Sequence, residues 1–380
     1  MKNIDLVFFD AGGGHRSAAN ALRHAIERQG LNWDARLVNL QEVLNSLDIF
    51  RKLTGIRMED IYNLVLKKGW TLGSSQATRA MQGIIRMYHP AQVRVLTEFW
   101  RDRETDLVVS VIPNFNRALR QSLPPGTPMV TILTDMADYP PHFWIERQSQ
   151  YLICGTGRAV EQAKATGHPS HMVFQTSGMI LHPRFYEPVE MDRGAERHRL
   201  GLDPDLPTGL VLFGGHGSGT MLDIARRLQA SKLKVQLILV CGHSKKLAAA
   251  LRRIAGPVPM YIEGFTKEIP YFMALSDFFI GKPGPGSISE ALAMKLPVIV
   301  ERNAWTLPQE RYNADWIQER GVGLVLRNFR GIAAAVEKLL EPETYREFRC
   351  NAAKLENRAV FEIPGILRTI VERNANEQDH

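Results

Sequence analysis

Residues 277–302 read DFFIGKPGPGSISEALAMKLPVIVER. The apolar run DFFIGK (277–282) ends in a turn of Gly and Pro, a helix-like segment begins near Ser287, and a second apolar run, LPVIVER (296–302), follows. Two buried strands joined by a helical crossover form a βαβ unit, the building block of parallel sheets. Upstream, GLVLFGG (209–215), VQLILVCG (235–242) and MYIEGF (260–265) are short apolar runs, each followed by a helix-like segment, and helices fill 331–375. The same alternation fills the N-terminal half: IDLVFFD (4–10), a helical SAANALRHAIERQG (17–30), DARLVNL (34–40), a mostly helical 41–100, then DLVVSVIP (106–113), PMVTILTD (128–135) and YLICGT (151–156). A charged stretch, 187–207, separates the two series. The expectation is an α/β chain of two doubly wound domains, 1–187 and 188–360, facing each other across a cleft, with 361–380 a closing helix that packs back on the first domain.

Composition bounds the function. The 380 residues are 44% hydrophobic and 23% charged, ordinary for a globular protein that buries two cores. No run reaches the roughly 18 apolar residues of a membrane-spanning helix. MKNIDLVFFDAGGG reads as a first buried strand and its loop, not as a secretory signal. Cys154, Cys241 and Cys350 are odd in number and form no C-x-x-C, which points to a reducing, cytoplasmic setting; the first two sit in strand-like runs as packing residues. The net charge of +7 admits an anionic partner. Residues 51–103 hold ten Lys or Arg against four acids, a local +6 without a nucleic-acid-binding signature.

Four motifs stand at strand-to-helix junctions. Asp10-Ala11-Gly12-Gly13-Gly14-His15 lets the backbone approach a ligand closely, and His15 is of the residue type that takes a proton near neutral pH. Phe213-Gly214-Gly215-His216-Gly217-Ser218-Gly219-Thr220 has the form of a phosphate-facing loop, with Ser218 or Thr220 as cap. In Gly281–Ala291, Glu290 offers two acceptor oxygens to a vicinal diol; Ser287-x-x-Glu290 fits a capping box equally well. In Trp305–Asn313, Gln309 and Glu310 either read sugar hydroxyls or form a polar first helical turn. Asp203-Pro204-Asp205 reads as a turn, not a metal-binding D-x-D.

Taken in order, DAGGGHRSAA, FGGHGSG, EGFTKEIPYFMALSD, GKPGPGSISEALAMKLPVIV and PQERYN resemble the monogalactosyldiacylglycerol synthase and processive diacylglycerol glucosyltransferase group of glycosyltransferase family 28, relatives of the peptidoglycan lipid-intermediate N-acetylglucosaminyltransferase. The resemblance spans about residues 5–325. It implies a GT-B fold and an inverting, metal-independent transfer of galactose or glucose from a UDP-sugar, with no cofactor. The implied acceptor is a diacylglycerol-type lipid on the inner face of a membrane, making the chain a peripheral enzyme of glycolipid biosynthesis. His15 would be the base, with Asp135 and Asp138 as alternatives. Gly215, His216, Gly286 and Ser287 would lie at the diphosphate, Glu290 at the ribose, Phe265 and Thr266 at the uracil, and Gln309 and Glu310 at the hexose. Gly13, Gly14 and Trp144 would lie on the acceptor side. The 51–103 segment, with its cations interleaved among Leu, Ile, Trp70, Met and Tyr88, would face an anionic leaflet. Other readings of the same fold are another hydroxylated acceptor, a UDP-sugar epimerase, and a nucleotide-sugar-binding protein without turnover.

Overall fold

The computed structural model describes residues 1–10, 13–44, 82–83, 85–139 and 143–378. Most of the basic segment, 51–81, including Trp70, lies outside them.

Twelve strands of the described residues form two six-stranded sheets. The first contains β1 (Lys2–Phe8), β2 (Trp33–Asn39), β3 (Leu107–Ser110), β4 (Met129–Ile132), β5 (Tyr151–Cys154) and β6 (Val173–Gln175), in the order β2-β1-β3-β4-β5-β6. The second contains β7 (Thr208–Leu212), β8 (Gln236–Val240), β9 (Met260–Glu263), β10 (Phe278–Gly281), β11 (Val298–Glu301) and β12 (Gly323–Leu326), in the order β12-β11-β10-β7-β8-β9. Every strand pair is parallel. This is the two-domain α/β architecture of the GT-B fold. The strand order reverses between β1 and β3 and again between β7 and β10, and at such points the loops leaving the strands diverge and open a crevice.

Helices cover both faces of each sheet, which is why the strands read as unbroken apolar runs. In the first domain the helix Gly14–Arg28 buries Ala18, Ala19, Ala21, Leu22, Ala25 and Ile26 at helical spacing. The helix Ala359–Gln378 joins that core through Ala359, Ile363, Leu367, Ile370 and Val371. The opposite face is closed by Leu96, Trp100 and Leu119. In the second domain, Ile224, Leu228 and Leu251 pack on one face, and Ile288, Leu292 and Ile317 on the other. Met179, Leu181 and Phe185, which follow β6, already belong to the second core. The chain therefore crosses between domains after β6 and again before residue 359.

Two details correct the sequence reading. The run GLVL at 323–326 is a twelfth strand, at the edge of the second sheet. Several strands also end earlier than the apolar runs do, with β4 stopping at Ile132 and β7 at Leu212. The apolar residues past those ends, Leu133 and Phe213, are loop residues buried in the cores. Cys154 and Cys241 are fully buried, and Cys350 is exposed. Asp203 accepts the Asp205 N–H at 2.8 Å, so this D-x-D is a turn.

Candidate functional site

The two reversal points face one another across a cleft of about 420 Å³. The first domain lines it with Gly13, Gly14, His15, Pro113, Thr134 and Asp135. The second lines it with Gly214, Gly215, Phe265, Thr266, Lys282, Gly286, Ser287, Glu290, Gln309 and Glu310. Residues scattered over some 300 positions meet because each leaves the carboxyl end of a parallel strand.

His15 is the second residue of the helix that follows β1. Gly13 precedes the helix in the left-handed region (φ 82°), a conformation that favours glycine. No side chain caps this helix, so its first N–H groups stay available at the cleft. His15 Nδ1 lies 3.2 Å from Thr134 Oγ1, and its ring is tilted against Trp144 at 5.9 Å. Burial pushes the imidazole down to about 4, against a hydrogen bond with the Val111 backbone, so the ring is neutral at pH 7.

Asp135 follows β4. Burial pushes its carboxyl up to about 7; the Trp144 Nε1–H, donated at 2.8 Å, works the other way, Glu310 and Asp138 add to the rise, and Lys282 opposes it. Asp138 is a different case. Its two oxygens accept the backbone N–H groups of Trp144 (2.7 Å) and Ile145 (3.3 Å), and it does not line the cleft. It shapes a turn, which removes it as a base. Trp144 itself is 0% exposed, so it backs His15 and Asp135 and offers no surface to an acceptor.

On the opposite wall the helix Pro285–Ala293 starts at an N-cap of Gly284, three residues before Ser287. The capping box is therefore absent. Ser287 Oγ donates to the Gly284 carbonyl at 3.3 Å. The Glu290 carboxyl makes no hydrogen bond among the described residues, faces the cleft, and is pushed up to about 7 by burial alone. A Cβ placed on Gly13, Gly14, Gly214, Gly215 or Gly286 would meet nothing within 4 Å, so free space lies in front of all five. Gly242 is the reverse: its Cβ would sit 2.1 Å from the Gly215 carbonyl oxygen, so it is required for the loops to pack.

Gln309 and Glu310 lie in a short 3-10 turn, Pro308–Glu310, ahead of the helix Arg311–Arg320. Glu310 is not free, because Lys282 Nζ donates to its Oε1 at 2.6 Å. Phe265 is 55% exposed and stacks on His243 with centroids 4.0 Å apart and rings 15° from parallel. His216 is exposed, 6.1 Å from His243, and outside the cleft lining. The sequence reading assigned nothing to Lys282, Thr134 or His243. Each stands within three residues of the carboxyl end of a strand, β10, β4 and β8 respectively, and that position was the available signal. Among the described residues no three His, Cys, Asp or Glu side chains gather as metal ligands, and no helix is long and apolar enough to cross a membrane.

Residues 210–361 match the glycosyltransferase family 28 C-terminal domain. The chain is 26% identical to monogalactosyldiacylglycerol synthase 2, chloroplastic, of Arabidopsis thaliana, over 95% of this chain and 79% of that protein. It is also 26% identical to monogalactosyldiacylglycerol synthase 1, chloroplastic, of the same plant, over 98% and 72%. Among solved structures its fold is similar to S. aureus MnaA with UDP (TM-score 0.64, 15% identity, 98% of this chain and 97% of that one). It is likewise similar to CalG4, the calicheamicin glycosyltransferase (TM-score 0.60, 16% identity, 97% and 98%).

Proposed function

Because the chain is a glycosyltransferase with a family 28 C-terminal domain and is similar over most of its length to monogalactosyldiacylglycerol synthases, we propose that it transfers galactose or glucose from a UDP-sugar to the hydroxyl of a diacylglycerol-type lipid, with inversion at the anomeric carbon. The observation that carries this reading is the shared cleft. One wall presents an imidazole that is neutral at pH 7, and the other presents a bare helix N-terminus beside an unpaired carboxyl.

The assigned roles follow from chemistry. Glu290 accepts the two ribose hydroxyls. The N–H groups at Gly286 and Ser287, with the Gly215 loop, meet the diphosphate, where the helix dipole favours negative charge. Phe265, backed by His243, supports the uracil with Thr266 beside it. Gln309 reads the hexose. Gly13 and Gly14 leave room for the acceptor. The acceptor oxygen attacks the anomeric carbon on the face opposite UDP, the carbon–oxygen bond to the diphosphate breaks, and the acceptor proton passes to His15. A bound diphosphate also raises the basicity of His15, because a nearby anion favours the imidazolium. Fixed amides supply the charge compensation that a metal ion provides elsewhere.

We place the enzyme on the cytoplasmic face of a membrane. Arg86, Arg94 and Arg101 are exposed, and Met87 beside Arg86 is 68% exposed. Each cation near an anionic leaflet contributes about 1 kcal/mol. Arg103 does not belong to that set: it and Arg36 pair with the buried Asp5.

The test is transfer from labelled UDP-galactose and UDP-glucose to diacylglycerol in anionic vesicles, with and without EDTA. A glycolipid that still forms in EDTA supports the whole reading. UDP binding without glycolipid from either donor would overturn the acceptor assignment, and isomerised donor without acceptor would establish an epimerase.

A further inference from the structure

Three carboxyls line the cleft, those of Asp135, Glu290 and Glu310, and a nucleotide diphosphate adds further negative charge. Lys282 is the only Lys or Arg among the described residues lining it. Resting on the UDP-sugar reading above, we propose that Lys282 is a catalytic residue, the cation that receives the leaving diphosphate, and that Glu310 is its positioning residue.

Lys282 is the residue immediately after β10, at the reversal point of the second sheet. Its ammonium donates to Glu310 Oε1 at 2.6 Å. The two partners differ in exposure: the Lys282 side chain is 40% exposed and that of Glu310 only 9%. The carboxylate is thus the fixed end and the ammonium the end that reaches into the cleft. An ammonium has three protons. One goes to Glu310, and the others remain for an anion.

The pair sits at the helix N-terminus assigned to the diphosphate. Lys282 Cε and Ser287 Oγ both lie 3.4 Å, and Glu310 Oε1 3.7 Å, from the place a Cβ on Gly284 would take. Cation, hydroxyl, carboxylate and helix start therefore converge on one point. The helix Pro285–Ala293 adds the unpaired N–H groups of its first turn. Asn313 holds the loop still, its Nδ2 donating to the Pro283 carbonyl at 2.8 Å. Asp135, on the other domain, is close enough for both Lys282 and Glu310 to shift its protonation, so the pair shares the cleft with an acid of the opposite wall.

As the sugar leaves, the bond from the anomeric carbon to the diphosphate oxygen breaks with its electron pair on that oxygen. Lys282 donates a hydrogen bond to the growing charge and transfers no proton. Glu310 keeps the ammonium in the cleft between turnovers.

The test compares UDP with uridine, which lacks the diphosphate, by calorimetry, alongside initial transfer rates for wild type, Lys282→Met, Lys282→Arg and Glu310→Gln. Lys282→Met should bind uridine as wild type does, bind UDP about tenfold more weakly, and lose about 100-fold or more in kcat, the usual scale for removing one preorganised donor. Lys282→Arg should recover part of that loss. Glu310→Gln should keep its UDP affinity while kcat falls about tenfold, because the ammonium stays in the site but is no longer held in place. Lys282→Met with wild-type UDP affinity and rate would overturn the proposal, as would an equal fall in UDP and uridine affinity, which marks a collapsed loop. Wild-type protein that binds uridine and UDP no better than a denatured control would overturn the donor reading itself.

Discussion

In the second domain the wall of the cleft sets open backbone at Gly214, Gly215 and Gly286, and a helix start without a side-chain cap, beside the side chains of Lys282 and Glu290. In the first domain it is largely side chain: His15 beside Thr134 and Trp144, and Asp135 held by Trp144. Both walls use the same strand–loop–helix plan. A backbone wall fits a ligand whose charge and shape are constant, because amides cannot titrate. A side-chain wall supplies groups whose proton can move. The proposed division rests on this difference, with donor binding in the second domain and proton transfer in the first.

The first way to break this division is His15→Ala. It should lower the transfer rate about 10²- to 10⁴-fold, the range for removing a general base, as read in initial velocities at saturating donor. A loss below threefold would move the base to Asp135. Next in size, Glu290→Gln should weaken UDP binding about tenfold to 100-fold by calorimetry, because a charged acceptor to two hydroxyls is worth roughly 1.5–3 kcal/mol. Gly286→Ala sharpens the contrast between folding and binding. Its Cβ meets no protein atom, so the melting temperature should stay within a degree or two while UDP affinity falls several-fold. Gly242→Ala should instead lower the melting temperature markedly, because its Cβ collides with the Gly215 carbonyl.

The legibility of the two walls follows the same line. The second wall could be read from the chain because its motifs are contiguous: FGGHGSG and GKPGPGSISE each contain a strand end, a turn and a helix start. His15 was visible for the same reason. Trp144 was visible only as part of a family resemblance, and its burial beneath His15 and Asp135 was not. Asp135 and Asp138 look alike in TDMADYP. Only the backbone path shows one facing the cleft and the other clamping the N–H groups of Trp144 and Ile145. The strand series was legible because strands buried on both faces are apolar throughout. Sheet order was not, since crossovers leave no local pattern, and β12 escaped notice as a four-residue edge strand between glycine-rich and charged neighbours. The Glu310–Lys282 pair joins residues 28 positions apart, and no local rule connects them.

Acid–base behaviour gives a smaller test. Asp135 and Glu290 are raised to about 7, so their contribution to stability is present below about pH 4 and lost as pH rises through 7. His15 is lowered to about 4, so its contribution is present above 6.5 and lost as pH falls toward 4. Asp135→Asn should therefore gain in melting temperature relative to wild type at pH 8, and gain little at pH 4. His15→Ala should flatten the decline on the acid side. The smallest effect belongs to His216→Ala: the ring is exposed and outside the cleft lining, and UDP affinity should change less than threefold.

The central claim is that the donor is bound by the second wall and the proton handled by the first. It is tested most directly by UDP calorimetry on His15→Ala protein that has lost transfer activity. The division predicts a dissociation constant within about threefold of wild type. A UDP affinity that falls as far as the transfer rate would contradict it, and would make His15 part of the donor site.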